Sequence, residues 1–274
     1  MAVCWPRHDR GHSGVRTMAN TIRRRWQAGE TALGTFVFST DPASVEIAGH
    51  AGFDFATIDL EHAALGIEHA VSHIRAAAGV GIAALVRVAS GGDGLVGKLL
   101  DAGADGIMLA HFGKDPAAAR AFGSVLRDAP AGDRPSCTGV RAASYALASY
   151  SDYVKRANDD VIGIGLVEDM EVVPQLDRLL REVRIDAVMP GPGDLSTSMG
   201  LPGDPTHPKV KQAVADVIAA ARRAGLRVGM YLNSPGEIRD WLPLKLDFYV
   251  YLFDTKVLAR AYASAVADIR AAFR

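Results

Sequence analysis

Val161-Ile162-Gly163-Ile164-Gly165-Leu166-Val167 is an unbroken apolar run that ends in Glu168-Asp169. Its length and its Val/Ile content read as a β-strand. A second, shorter run, Ala187-Val188-Met189-Pro190, gives way to Gly191-Pro192-Gly193-Asp194-Leu195-Ser196. Both runs deliver a carboxylate at the point where apolar chain stops. Charge is costly there unless something binds it. On neighbouring strands of a barrel, Glu168 and Asp194 would be placed to hold one hard divalent cation.

The rest of the chain repeats the same beat. Strand-like runs at Leu33–Phe38, Phe55–Asp59, Ala83–Val88, Gly106–Ala110, Arg227–Leu232 and Phe248–Phe253 alternate with stretches of helical periodicity. Two helices open on Asp-Pro pairs, Asp41-Pro42 and Asp115-Pro116, where Asp suits the cap and Pro the first turn. Gly225 is placed to end the helix that starts near His207. The final helix spans about Thr255 to Phe273. Asp128 to Asp160 is too long for a simple connection; turn residues come first, and Leu147 to Asn158 is predicted helical. Eight strand–helix units in ~250 residues predict a single-domain α/β fold, a (β/α)8 TIM barrel over residues 20–274. An open doubly wound sheet is the runner-up, weakened because no Gly-rich phosphate fingerprint follows the first strand.

Composition narrows the function. A net charge of −1 provides no global basic field for nucleic acid. The local runs Arg23-Arg24-Arg25 and Arg222-Arg223 read as solvated helix faces. Cys4 and Cys137 make neither a disulfide framework nor a zinc cluster, so a reduced, cytoplasmic setting is expected. No apolar run approaches the ~20 residues of a membrane span. Residues 1–19 are polar, basic and without the apolar core of a secretory signal. They read as a disordered extension, or as the product of a start codon upstream of a true start at Met18, and are expected to add nothing to the fold.

In a (β/α)8 barrel the active site lies at the C-terminal ends of the strands. Those ends carry Asp59-Leu60-Glu61-His62, Arg87, His111, Glu168, Asp194, Asn233 and Asp254. Such convergence from distant points of the chain argues for an enzyme. Asp59 and Asp254 could each simply cap the following helix. His62, beside two carboxylates and a predicted metal, reads as catalytic. Arg87, within a Val/Leu/Ala strand, needs an anionic partner, either a protein carboxylate or a substrate. Asp101 by itself is an ordinary end-of-helix residue. The Gly191–Asp194 stretch is either a tight turn with Asp as cap, or a loop whose glycines let backbone approach a ligand.

Taken in order, these motifs resemble the HpcH/HpaI family of metal-dependent class II pyruvate aldolases, the 4-hydroxy-2-oxoheptanedioate aldolase type. The resemblance is carried by Ala51-Gly52-Phe53-Asp54, Ile58-Asp59-Leu60-Glu61-His62, Val86-Arg87, Lys98-Leu99-Leu100-Asp101-Ala102-Gly103, Gly139-Val140-Arg141, Val167-Glu168, Gly191 to Ser196, Asn233 and Asp254-Thr255. It implies a lyase that cleaves a 4-hydroxy-2-oxo acid to pyruvate and an aldehyde through an enolate held on a divalent cation. It also implies a homohexamer, a trimer of dimers with exchanged C-terminal helices. By this resemblance Glu168 and Asp194 are the metal ligands, for Mg²⁺, Mn²⁺ or Co²⁺. His62 is the catalytic base, and Asp101 raises that base's proton affinity. Arg87 holds the substrate oxygens, and the Gly193 backbone touches the pyruvate carboxylate. Two positions depart from the pattern. Leu166 stands where the family's substrate-binding glutamine is usual, and leucine has no hydrogen bond to donate. Ala142 stands where glycine is usual. Oxaloacetate decarboxylation, acyl-CoA lyase chemistry, and a catalytically lapsed keto-acid-binding barrel are the rival readings.

Overall fold

The computed structural model describes residues 20–89, 91 and 94–273. Each apolar run forms a strand: β1 (Ala32–Val37), β2 (Phe55–Asp59), β3 (Ala83–Val88), β4 (Gly106–Leu109), β5 (Ile162–Val167), β6 (Ala187–Pro190), β7 (Arg227–Leu232) and β8 (Phe248–Phe253). All pair in parallel in sequence order, and β1 pairs with β8 to close the barrel. The helices are α1 (Thr21–Gln27), α2 (Ala43–Ala51), α3 (Ile67–Val80), α4 (Leu95–Asp101), α5 (Pro116–Val125), α6 (Tyr150–Asp160), α7 (Leu176–Glu182), α8 (Pro192–Ser198), α9 (Pro208–Arg223), α10 (Ile238–Trp241) and α11 (Asp254–Ala271).

Side chains alternate across each strand, so every strand feeds two cores. Outward residues such as Ile58, Val86, Ile107 and Val167 pack under the helices. Inward residues, among them Phe55, Leu85, Met108, Ile164, Leu166, Met189 and Phe248, fill the barrel. Two glycines make that filling possible. A Cβ at Gly34 would strike the Phe55 ring, and one at Gly229 would strike the Phe248 ring.

Register is held at the N-terminal end of the barrel by four aspartates, one immediately before each even-numbered strand. Asp54, Asp105, Asp186 and Asp247 each accept, through Oδ2, the amide of the second residue of the preceding strand: Leu33, Ala84, Gly163 and Val228, at 2.8–2.9 Å. Each aspartate also donates its own N–H to the carbonyl of that same residue. Its carbonyl in turn accepts from the first residue of the next odd strand, with Asp247 reaching Ala32 to complete the circle.

α1 covers this end. Ile22 and Trp26 enter the inner core, and Trp26 Nε1 donates to the Asp247 carbonyl. Asn20 caps α1 and also donates to the carbonyls of Asp105 and Asp160. This helix lies outside the elements predicted from sequence, and its Arg23-Arg24-Arg25 run is not simply solvated. Arg23 pairs with Asp186, and Arg25 with Asp54. Arg222 and Arg223 likewise pair with Asp247 and Asp177. The 1–19 extension lies outside the described residues.

Three of the four aspartates have guanidinium partners: Arg25 for Asp54, Arg23 and Arg127 for Asp186, Arg222 and Arg227 for Asp247. Among the described residues, Asp105 has no direct ion pair. Burial pushes its pKa up to about 7, although the Ala84 amide opposes the shift. An unfolded chain releases this proton near its ordinary value of 3.8, so between that value and about 7 the folded state holds one proton more. Stability from this group is therefore lost as pH rises through the window, by roughly 4 kcal/mol if fully expressed. Asp105→Asn keeps an acceptor for Ala84 and cannot ionise. Chemical unfolding of both proteins from pH 4 to 8 is expected to show the variant gaining on the wild type as pH rises. Parallel stability curves would rule this out.

Candidate active site

The C-terminal end of the barrel collects polar side chains because the inward parity of each strand continues one step past its apolar run. Thr57 and Asp59 follow Phe55 on β2, Arg87 follows Leu85 on β3, and Glu168 follows Leu166 on β5. Asp59 is fully buried. Its Oδ1 accepts the backbone amides of Glu61, His62 and Ala63, at 3.1, 2.6 and 3.1 Å. Its Oδ2 accepts from Arg87 Nε. One carboxylate thus shapes the β2–α3 turn and anchors the arginine. Arg87 also lies 3.3 Å from Glu61 Oε2 through Nη1, and its guanidinium sits 4.8 Å from the centroid of the Phe36 ring. The protein carboxylates anticipated for Arg87 are therefore Asp59 and Glu61.

Glu168 is buried, and its Oε1 accepts the backbone amide of His111 at 2.7 Å. Burial pushes its pKa up to about 7 against the opposing amide and ring of His111, with Asp194 and Glu61 adding to the rise. Gly191 lies against it: a Cβ there would sit 3.1 Å from both Glu168 Cβ and Oε2. His111 follows β4 with φ of +48°, an uncommon backbone for a residue with a side chain. Its Nδ1 lies 2.9 Å from Asp169 Oδ2, which also accepts from Lys114 Nζ at 2.8 Å. His111 Nε2 lies 3.7 Å from Glu61 Oε1. Burial would lower the His111 pKa, but the Asp169 hydrogen bond and the charges of Glu168, Asp169 and Glu61 outweigh it and raise it. Burial acts to raise the Asp169 pKa, and its bonds to Lys114 and His111 bring it below its ordinary value.

One donor atom from each of Glu61, His111 and Glu168 lies within 4.8 Å of the others. Glu61 Oε2 is buried without a hydrogen bond. Among the described residues, the mouth concentrates Asp59, Glu61, Glu168 and Asp169 around Arg87, Lys114 and the imidazoles of His62 and His111. Its electrostatics call for further positive charge.

The anticipated residues fall into two groups. His62, Arg87, Glu168, Asp194, Gly193 and Leu166 all belong to this end of the barrel. His62 is exposed, with Nε2 at 3.6 Å from Glu61 Oε2. Leu166 sits in the inner core directly below Glu168. The Gly191–Asp194 stretch is not a tight turn: Pro192 onward forms α8, a helix unassigned from sequence, with exposed Asp194 in its first turn. Gly193 is exposed, and a Cβ there would meet nothing within 4 Å, so the crowded glycine is Gly191. Asp101 is apart. It ends α4, just before β4 begins, and so lies at the opposite end of the barrel, where Arg134 donates to it at 2.7 Å. Asp254 does more than cap a helix: it accepts from Thr255 and also from Phe38 and Ser39, tying the end of β1 to α11. Asp169 and Lys114 were not anticipated, since an acid beside Glu168 and a lysine in a turn carry no distinguishing pattern.

Comparison with known proteins agrees with this architecture. Residues 32–247 match the family model described as HpcH/HpaI aldolase/citrate lyase. A hydroxypyruvate/pyruvate aldolase of Pseudomonas aeruginosa is 31% identical over 244 residues, covering 88% of this chain and 90% of that protein. A 4-hydroxy-2-oxo-heptane-1,7-dioate aldolase of Salmonella arizonae is 31% identical over 249 residues, covering 89% and 92%. The crystal structure of an HpcH/HpaI aldolase/citrate lyase family protein from Burkholderia cenocepacia superposes with a TM-score of 0.84 at 30% identity, covering 92% of this chain and 99% of that one.

Proposed function

Because this chain belongs to the HpcH/HpaI aldolase/citrate lyase family and is a lyase of the aldolase type, we propose that it reversibly cleaves a 4-hydroxy-2-oxo acid to pyruvate and an aldehyde. The observation that carries this reading is the meeting of buried Glu168, the largely buried Glu61 carboxylate and an anchored Arg87 at one barrel mouth. Such a set fits a divalent cation, with Glu168 and Asp194 as the ligands first expected and Mg²⁺, Mn²⁺ or Co²⁺ as suitable ions. When bound, the cation supplies Lewis-acid stabilisation of negative charge on the keto-acid oxygens.

The protein's own residues account for the rest. Asp59 holds Arg87 Nε and leaves the guanidinium tip facing the mouth, where it stabilises the oxyanion of the pyruvate enolate. His62 is exposed beside Glu61 and exchanges the proton of the substrate hydroxyl with solvent. The Gly193 backbone meets the pyruvate carboxylate. Glu168→Ala or Asp194→Ala is expected to slow metal-dependent proton exchange at the pyruvate methyl by roughly 100-fold or more. Wild-type exchange rates in either variant, read by NMR in deuterated buffer, would sink this assignment.

Leu166 lies below Glu168 with an aliphatic side chain where a hydrogen-bond donor would serve the substrate. Pyruvate then relies on Arg87, Gly193 and the cation. Leu166→Gln is expected to tighten pyruvate binding about 5-fold, the worth of one net hydrogen bond of ~1 kcal/mol. Unchanged or weaker binding by calorimetry would show that Leu166 does not line the site. A substrate panel scored by pyruvate release should include oxaloacetate, since decarboxylation uses the same enolate.

The working enzyme is proposed to be a homohexamer, a trimer of dimers. α11 has no buried residue, and Val257, Leu258, Tyr262, Val266 and Ile269 are exposed along it. An 18-residue helix with that much uncovered apolar surface fits a contact with a second copy of the chain. Asp101 points the same way: within one chain it is at the wrong end of the barrel, so it acts on His62 only if it belongs to a neighbour. Light scattering is expected to give the mass of six chains for the wild type and a smaller assembly for Leu258→Asp/Tyr262→Asp. A monomeric wild type at micromolar concentration would contradict the proposal.

A further inference from the structure

The geometry points to His111 as a nitrogen ligand of the cation site, acting with Glu61 and Glu168. This inference rests on the cation reading above and adds two donors to it. Three observations, none of which involves Asp194, carry it. First, Glu61, His111 and Glu168 offer donor atoms within 4.8 Å of one another, with His111 Nε2 at 3.7 Å from Glu61 Oε1. That separation is too long for a hydrogen bond. It falls between the ~3.0 Å of adjacent and the ~4.2 Å of opposite ligands around an ion with ~2.1 Å bonds.

Second, the imidazole is oriented as metal-binding histidines are. Its Nδ1 faces Asp169 Oδ2 at 2.9 Å, and Asp169 is itself fixed by Lys114. A ring that donates Nδ1–H to a carboxylate presents Nε2 as its lone-pair nitrogen, and outer carboxylates of this kind commonly support histidine ligands. Third, the charges of the site are loosely matched: Glu61 Oε2 is buried without a hydrogen bond, its nearest nitrogens being Arg87 Nη1 at 3.3 Å and His62 Nε2 at 3.6 Å. His111 holds a left-handed backbone, φ +48°, which lets its amide reach Glu168 Oε1 while its ring turns toward Glu61. Strain of this sort in a residue other than glycine persists where surrounding structure enforces it, often at functional sites.

A nitrogen donor among carboxylates changes which ion is favoured. Mg²⁺ is satisfied by oxygen alone, whereas imidazole favours Co²⁺ and its neighbours in the transition series. The inferred site therefore favours a transition ion such as Co²⁺ over Mg²⁺, and His111 is the residue that sets that preference.

Calorimetric titration of the purified full-length protein with CoCl2 and with MgCl2 tests this, using wild type, His111→Asn and Glu168→Gln. Asn is chosen because it tolerates the left-handed backbone; circular dichroism reports whether it folds. The wild type should bind Co²⁺, and Glu168→Gln should lose that binding. His111→Asn should weaken Co²⁺ by roughly 10- to 100-fold and Mg²⁺ by less than about 3-fold. Pulsed electron paramagnetic resonance of the Mn²⁺-loaded wild type provides a readout that does not depend on the variant's stability. It should show nitrogen modulation from a coordinated imidazole, and replacing nitrogen with ¹⁵N in histidine alone should shift that modulation. Unchanged Co²⁺ affinity in a folded His111→Asn protein, or no imidazole nitrogen on Mn²⁺, would overturn the role of His111. The parent reading would survive either result if Glu168→Gln still lost the metal. A wild type that binds no divalent ion would overturn both.

Discussion

The barrel depends on a constraint repeated four times at its N-terminal end: an aspartate that grips one residue of the preceding strand by both its N–H and its C=O. Parallel strands have no tight hairpin to set their alignment, and slipping by one residue would turn every inward side chain outward. Charge-assisted bonds from Asp54, Asp186 and Asp247 resist that slip, at roughly 1.5–3 kcal/mol apiece, and Asp105 makes the same bond without a guanidinium partner. The arginines of α1 and α9 supply most of the compensating charge, which explains why α1 belongs to the barrel although it precedes the first strand.

Correct register at the bottom is what places chemistry at the top. Because side chains alternate with a period of two, the parity that buries Leu85 and Leu166 also points Arg87 and Glu168 into the mouth. Asp59 then does for the mouth what the four aspartates do for the base. It ties the β2–α3 turn and the arginine to a single buried carboxylate. Of the remaining acids, Glu61 keeps loose contacts with Arg87 and two histidines, and Glu168 has no guanidinium or ammonium partner among the described residues. That imbalance fits an ion-binding lyase site better than a structural salt-bridge network, in which each carboxylate would have its own partner.

Much of this was legible in the chain itself. All eight strands lie where the apolar runs predict, because a buried parallel strand must be apolar over its length. Glu168 and Arg87 were conspicuous since charge directly after or within such a run has few bland explanations. The aspartates before even strands were equally visible as Phe53-Asp54-Phe55, Ala104-Asp105-Gly106, Ile185-Asp186-Ala187 and Leu246-Asp247-Phe248, yet they repeat at uneven spacing and resemble ordinary turn residues. α1 and α8 escaped because each is only seven residues long and stands outside the strand–helix alternation: α1 precedes β1 and α8 is an extra helix between β6 and α9, whereas the equally short α4 and α7 fill expected slots.

Sequence alone determined the order of the eight strands, the barrel, and the set of acids, histidine and arginine that end its strands, because burial and side-chain alternation act locally along the chain. Tertiary structure decided which of those residues meet. It gave Arg87 to Asp59, brought His111 up to Glu61 and Glu168, and moved Asp101 to the far end beside Arg134. Those pairings depend on strand register and barrel curvature, which bring together side chains tens of residues apart, and no local pattern in the chain encodes the distance between them.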